Sequence, residues 1–217
     1  MPRAAELLQG AGEGGIAAVA SPFMTNEELF ALRRICDALG VERRRFLEPV
    51  GEGDDLLVHR QKCPNSRGAA RMGFTAADGE WGEGEIGVLL YVSPREGTGL
   101  PAEVEARARR RIVFSLHERE ADVSFPLTSW IEKDGTVISA GDRLQRLRKG
   151  MVRFPGLVTE RVVLERLLGA LDPAAVPAQT PAHAFQRMAA ATEGLGGLGW
   201  NDVGALGVAL PAQEAPA

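Results

Sequence analysis

His117 stands beside Glu118, and an imidazole next to a carboxylate can exchange protons as an acid/base pair. The pair follows an apolar run, so it reads first as two oriented residues of a surface loop. The other histidines, His59 and His183, lie far from it in the sequence, and no Ser-His-Asp order comes with a nucleophile elbow. Gly10-x-Gly12-x-Gly14 precedes a strand, whereas a dinucleotide fingerprint follows one, and no P-loop is present. Cys36 falls on the apolar face of a helix and reads as a buried thiol. Cys63, before Pro64 in a loop, is open to chemistry but has no second Cys near it. Arg143, Arg146, Arg148, Lys149 and Arg153 form a basic cluster with Asp142 as its one nearby acid. Such a cluster is either a solvated face or a docking surface for an acidic neighbour subunit.

The elements that must position these residues follow from hydrophobic spacing. GGIAAVAS, residues 14–21, reads as a buried parallel strand. Thr25 and Glu28 form a capping box, after which Leu29, Leu32, Cys36 and Leu39 mark one helix face that stops at Gly40. Arg45 to Val50 is a second strand, entered through Arg43-Arg44-Arg45, and the loop after it carries Asp54 and Asp55. A short helix lies between Lys62 and Gly73, Thr75 to Gly84 is loop, and Ile86 to Val92 is a strand buried on both faces. Pro101 opens a helix with Glu103–Arg107 and Glu105–Arg109 pairs, and Ile112 to Leu116 is the next strand. Strand, helix and strand make a right-handed βαβ unit, hence a parallel sheet. Residues 15–50 and 85–116 are then adjacent halves of that sheet. The stretch Ala121 to Arg146 leaves the C-terminal end of a strand, where ligands sit in open α/β sheets. Thr159 caps a helix running to Leu171, Pro173 to Pro181 is linker, and His183 to Ala191 is a helix followed by a Gly-rich segment.

The expected fold is therefore α/β, a parallel Rossmann-like sheet with flanking helices and a short C-terminal helical, Gly-rich extension. Its parts are an N-terminal arm (1–14), the α/β domain (15–172), a linker (173–182) and a C-terminal helix and tail (183–217), with Pro211 to Ala217 expected to be disordered. The chain has 217 residues, 45% apolar and 25% charged, enough for one large core. A net charge of −4 and 6% aromatics argue against nucleic acid as a partner. Two cysteines can neither frame a disulfide scaffold nor hold an iron–sulfur cluster, which takes about four thiolates. No run approaches the ~20 apolar residues of a membrane span, so no direct membrane insertion is expected. The N-terminus lacks a signal-peptide core, which makes a cytoplasmic location the expectation.

Pro64-Asn65-Ser66-Arg67-Gly68-Ala69 with Gly73 resembles the Asn-x-x-Gly-Ala-x-x-x-Gly pattern of the molybdopterin oxidoreductase family. Ala121-Asp122-Val123 with Pro126, Glu132-Lys133-Asp134-Gly135-Thr136 and Arg143-Leu144-Gln145 resemble the family's later pattern. Thr25-Asn26-Glu27-Glu28 is similar to its first helix start. The branch most similar is the large iron–sulfur subunit of NADH-quinone oxidoreductase, the NADH dehydrogenase of respiratory complex I. Asp54-Asp55-Leu56-Leu57, Leu116-His117-Glu118 and the segment Phe185 to Gly207 carry that likeness. The family has Asn where Ser139 stands and Gly where Asp142 stands, and it is several residues longer between Glu118 and Ala121.

The resemblance implies a molybdopterin-oxidoreductase-like domain, the C-terminal portion of a longer ancestor, with a structural and interaction role. Its partners would be other hydrophilic-arm subunits of an NADH:quinone oxidoreductase. Iron–sulfur clusters would lie in partners or in a missing N-terminal part, the chain itself would bind no cofactor or metal, and it would be peripheral to the inner membrane through the complex. The alternative is the C-terminal half of a split molybdopterin-dependent oxidoreductase, similar to formate dehydrogenase. Asn65, Gly68, Ser139 and Arg143 would then line a pterin-dinucleotide cleft. Asp142 would put a carboxylate where that cleft needs room for phosphates, which favours the first reading.

Overall fold

Two apolar runs, each too β-branched and too short for a helix, build the centre of the sheet. A computed structural model describes residues 1–48, 51–54, 56–77, 81–92, 100–151 and 155–212. Strand β1 (Ile16–Ala20) lies between β2 (Arg43–Phe46) and β4 (Ile86–Val92), and β3 (Thr75–Ala76) extends the β2 side. On the other side come β5 (Ala108–Ser115) and β6 (Val123–Pro126). All five pairings are parallel, giving the order β3-β2-β1-β4-β5-β6 of a Rossmann-like α/β fold. Successive side chains of β4 alternate between two cores: Val88, Leu90 and Val92 face one, Leu89 and Tyr91 the other.

The first core is roofed by α1 (Pro2–Gln9), α2 (Asn26–Ala38), α5 (Glu160–Leu171) and α6 (Pro181–Ala191). The second takes Val104 of the one-turn helix α4 (Ala102–Ala106). The capping box of α2 forms: Thr25 Oγ1 accepts from the Glu28 N–H and the Glu28 carboxylate accepts from the Thr25 N–H. Gly40, at φ 62°, turns the chain beyond the helix end. Helix α3 (Ser66–Arg71) follows Asn65.

Several elements differ from the sequence expectations. Residues 2–9 of the arm form a helix that buries Ala4, Ala5, Leu7 and Leu8 and packs on α5. Thr75–Ala76 is a strand, although its surroundings read as loop. Strand β2 begins inside the basic run, and Val50 lies outside the described residues, as do Asp55, Arg153 and residues 213–217. The helix opened by Pro101 lasts a single turn because β5 takes over at Ala108. Arg107 donates to the Gly82 carbonyl, Arg109 pairs with Glu85 and Arg119 with Glu105, so the side chains expected to pair within a helix are engaged elsewhere.

The stretch after β6 supplies a second, antiparallel sheet. A 3-10 turn (Trp130–Glu132) leads into β7 (Gly135–Ile138), which hairpins into β8 (Arg143–Leu147), and β9 (Val208–Ala209) pairs with β8. Phe185 of α6 meets the Trp200 ring at 5.7 Å, and the Arg146 guanidinium stacks over that ring at 4.0 Å. Phe185, Met188, Leu195 and Val203 join the first core, so the C-terminal extension is part of the same body. Residue 178 of the linker is held by α5: its N–H donates to Glu165 and its carbonyl accepts from Arg161.

Candidate functional site

Between β1 and β4 the chain's two halves depart in opposite directions, and the crevice beyond the strand ends at such a switch is the usual ligand position. A cavity of about 350 Å3 opens there. Phe23, Met24, Val92 and Leu127 give it an apolar wall, with Trp130 and Leu116, 61% and 48% exposed, at its mouth. Thr128, Lys133 and Glu160, all buried, form its floor.

The floor is an ion cluster. Lys133 Nζ lies 2.6 Å from Glu160 Oε1 and 3.3 Å from Glu28 Oε2. The Thr128 hydroxyl donates to Glu160 Oε2 at 2.6 Å and its N–H to Oε1 at 3.3 Å. Glu28 is fixed by the capping box, Glu160 opens α5, and Lys133 follows the 3-10 turn, so three elements are pinned at one point. Burial alone pulls the Lys133 ammonium down, but the two carboxylates outweigh it and its pKa lies above the ordinary value. Burial and the Glu28 charge push Glu160 up to about 7, because one ammonium serves two carboxylates.

A second buried network adjoins it on α2. Thr136 donates to Glu27 through its N–H (2.8 Å) and its hydroxyl (2.9 Å), and Asn26 Nδ2 donates to the same hydroxyl oxygen at 3.0 Å. Asn65 ties in the loop before α3: its N–H and Nδ2 donate to the Pro22 and Met24 carbonyls, at 3.1 and 2.8 Å. Its Oδ1 accepts the Ile138 N–H at 2.7 Å. Helix α3 approaches so closely that a Cβ on Gly68 would stand 2.1 Å from both Asn26 Oδ1 and Asn65 Oδ1. Only glycine fits there.

Burial drives Glu27 up to about 7 from an ordinary 4.5, against the lowering effect of its Thr136 hydrogen bonds. The folded chain therefore keeps a proton that the unfolded chain releases between those values. Stability from this group is full below the unfolded value and falls as pH rises through 7, by on the order of 3 kcal/mol. Glu27→Gln, a shape match for the protonated acid, should remove this part of the alkaline decline and leave that of Glu160. Thermal unfolding midpoints at about pH 5 and about pH 8 check it.

The remaining sequence candidates lie elsewhere. Ser139 and Arg143 flank the β7–β8 turn, where Ser139 Oγ accepts from the Arg143 N–H at 3.4 Å. The Arg143 guanidinium donates to the Leu206 and Gly207 carbonyls at 3.0 and 3.4 Å, clamping the C-terminal segment. Asp142 occupies the left-handed region, φ 51°, where the family pattern has glycine, and pairs with the buried Arg71 at 3.5 Å. Within the basic cluster, Arg143 and Arg146 are engaged with the C-terminal segment, while Arg148 and Lys149 are exposed. His117 and Glu118 are exposed at the end of β5. Burial pushes the Cys36 thiol up to about 12 and Cys63 to about 11, so neither is a thiolate at neutral pH. Among the described residues, no group of three or more His, Cys, Asp or Glu is placed to hold a metal, and no helix is long and apolar enough to cross a membrane.

Neither a family model nor a curated protein matches this chain. The geometry is thus the guide to whether a pterin dinucleotide fits. Asn65 and Gly68 are buried, the Asn65 amide is engaged at both its oxygen and its nitrogen, and Arg143 and Ser139 are bonded within the turn and to the C-terminal segment. These four residues do not fit that group. The blocks Thr25–Glu28, Asn65–Gly68 and Lys133–Thr136 were visible in the sequence, but their mutual contact was not. Glu160 carried no sequence signal beyond its place at a helix start.

Proposed function

We propose that the chain is a non-catalytic packing and interaction domain of the molybdopterin-oxidoreductase type. It serves the hydrophilic arm of an NADH:quinone oxidoreductase, in the place of that complex's large iron–sulfur subunit or of a part of it. One observation supports this most directly: the residues that carry the family likeness bond to one another. Glu28 with Lys133, Glu27 with Thr136 and Asn65 with Ile138 are satisfied inside the protein. A pterin cleft needs such groups turned toward a ligand, whereas a scaffold needs them turned inward. On this reading electrons travel through iron–sulfur clusters held by partner subunits, and the chain meets the membrane only through the complex. The exposed Arg148 and Lys149 offer a surface to an acidic neighbour.

Affinity purification of the chain from its native source, with iron, molybdenum and pterin analysis, tests this. Iron–sulfur partners should accompany it, and the chain separated from them should carry no stoichiometric iron, molybdenum or pterin. Stoichiometric metal on the separated chain, or a bound pterin lost in Asn65→Ala/Arg143→Ala, would overturn the proposal in favour of a split molybdenum enzyme.

A further inference from the structure

The floor of the crevice is closed on itself. Glu160 Oε1 is taken by Lys133 and Oε2 by the Thr128 hydroxyl, and Lys133 also reaches Glu28. What the cavity of about 350 Å3 offers an occupant is its apolar wall of Phe23, Met24, Val92 and Leu127. Around the mouth stand Trp130, Met151 and Leu116, 61%, 57% and 48% exposed. Met151 belongs to this rim because its N–H and that of Gly150 donate to the Ile131 carbonyl, next to Trp130. Exposed aromatic and methionine side chains set together have the composition of an interface centre. An apolar occupant strands no charge there, since the floor ions are paired with one another.

The same edge of the sheet carries a matching knob. The loop after β2 leaves at the C-terminal strand ends and returns to them, where the Asn65 N–H donates to the Pro22 carbonyl. On this loop Leu56 and Leu57 are 85% and 86% exposed. Their turn is built to display them. The Asp54 carboxylate accepts the N–H groups of Leu56, Leu57 and Val58 at 2.9, 2.6 and 2.8 Å, and the Asp54 N–H donates to the Val58 carbonyl at 2.8 Å. Further back, the Gly51 N–H donates to the Arg60 carbonyl, and Lys62 Nζ to the Glu52 and His59 carbonyls. A tip fixed before binding loses little freedom on docking, and leucines held in water by such a turn mark a contact. The loop does not line its own chain's crevice, so within one molecule knob and cavity stay apart.

We infer that two copies of this chain bind each other through this edge, the Leu56–Leu57 tip of each seated in the apolar crevice of the other. Knob and crevice share one edge, so a two-fold axis repeats the contact and closes the pair, as in most homodimers. Glu52 and Asp54, on the approach to the tip, complement the exposed Arg148 and Lys149 next to Met151. The pairing is independent of the proposed packing role: it is read on the purified chain alone, the packing role on the subunits that accompany it.

Sedimentation velocity on the full chain from roughly 1 to 200 μM should show a monomer–dimer equilibrium that stops at the dimer. Leu56→Asp/Leu57→Asp should weaken it at least about tenfold, as should Leu116→Asp/Trp130→Asp, all four side chains being exposed in the single chain. An equimolar mixture of these two variants regains one of the two contacts and should dimerise more strongly than either alone. Should the crevice variant not fold, the unaltered chain and the knob variant decide. A chain that stays monomeric to roughly 200 μM would overturn the inference. So would a dimer left intact by Leu56→Asp/Leu57→Asp, a mixture no stronger than its parts, or growth past the dimer.

Discussion

Lys133→Met should lower the unfolding free energy by about 3–5 kcal/mol, as expected when one partner of a buried ion cluster is removed. Methionine fills the stem's space against the apolar wall, so the loss is electrostatic rather than a cavity. It leaves Glu28 and Glu160 facing each other with no cation, both buried and both fixed by other hydrogen bonds. One of them must take up a proton or the α5 start must move away from α2. Adding Glu160→Gln to Lys133→Met removes one of the two stranded charges, and with it their mutual repulsion, while keeping an acceptor for Thr128. The double variant should recover a large part of the loss. Urea unfolding of the three proteins measures this, and an unrecovered double variant would show that packing, not charge, dominates at the floor.

Gly68→Ala is the second large effect, with an expected cost of about 3 kcal/mol. The new methyl would meet Asn26 Oδ1 and Asn65 Oδ1 at 2.1 Å, inside any tolerable contact. Asn65 cannot retreat without breaking its bonds to Met24 and Ile138, and each buried group left alone costs about 1–3 kcal/mol. Asn65→Ala therefore destabilises as well, but it clears one of the two oxygens in the methyl's way. The Asn65→Ala/Gly68→Ala double variant should be less damaged than the sum of the single ones, and a double-mutant cycle by denaturant unfolding reads that coupling.

The parts of the fold that the sequence made legible are those where one residue pattern has one structural solution. Ile86–Val92 is apolar throughout and must be covered on both faces, and Thr25 with Glu28 has the spacing of a reciprocal cap. The parts that escaped are sheet margins. The start of β5 is a run of arginines, half-exposed to exposed, whose backbone pairs with β4 whatever the side chains are, so charge pairing suggested more helix than forms. Thr75–Ala76 is a strand because β2 lies beside it, which no local pattern records. The same limit applies at the site. Lys133 and Thr136 fall in a recognised block, yet a block tells which residues go together in a sequence and not which way they face. Their partners Glu28 and Glu27 are more than a hundred positions away.

That separation bears on how the molecule comes together. Asn26 and Glu27 reach Thr136 across 110 and 109 positions, Lys133 reaches Glu28 across 105, and Asn65 reaches Ile138 across 73. Loops of this length must close before these contacts return any stabilisation, so the polar knot is expected to form late in folding, which φ-values at Thr136 and Lys133 would check. Interactions absent from the transition state act on the unfolding rate rather than the folding rate. The buried cluster is then a latch: it adds little to the speed at which the chain finds its fold and much to the time it remains there.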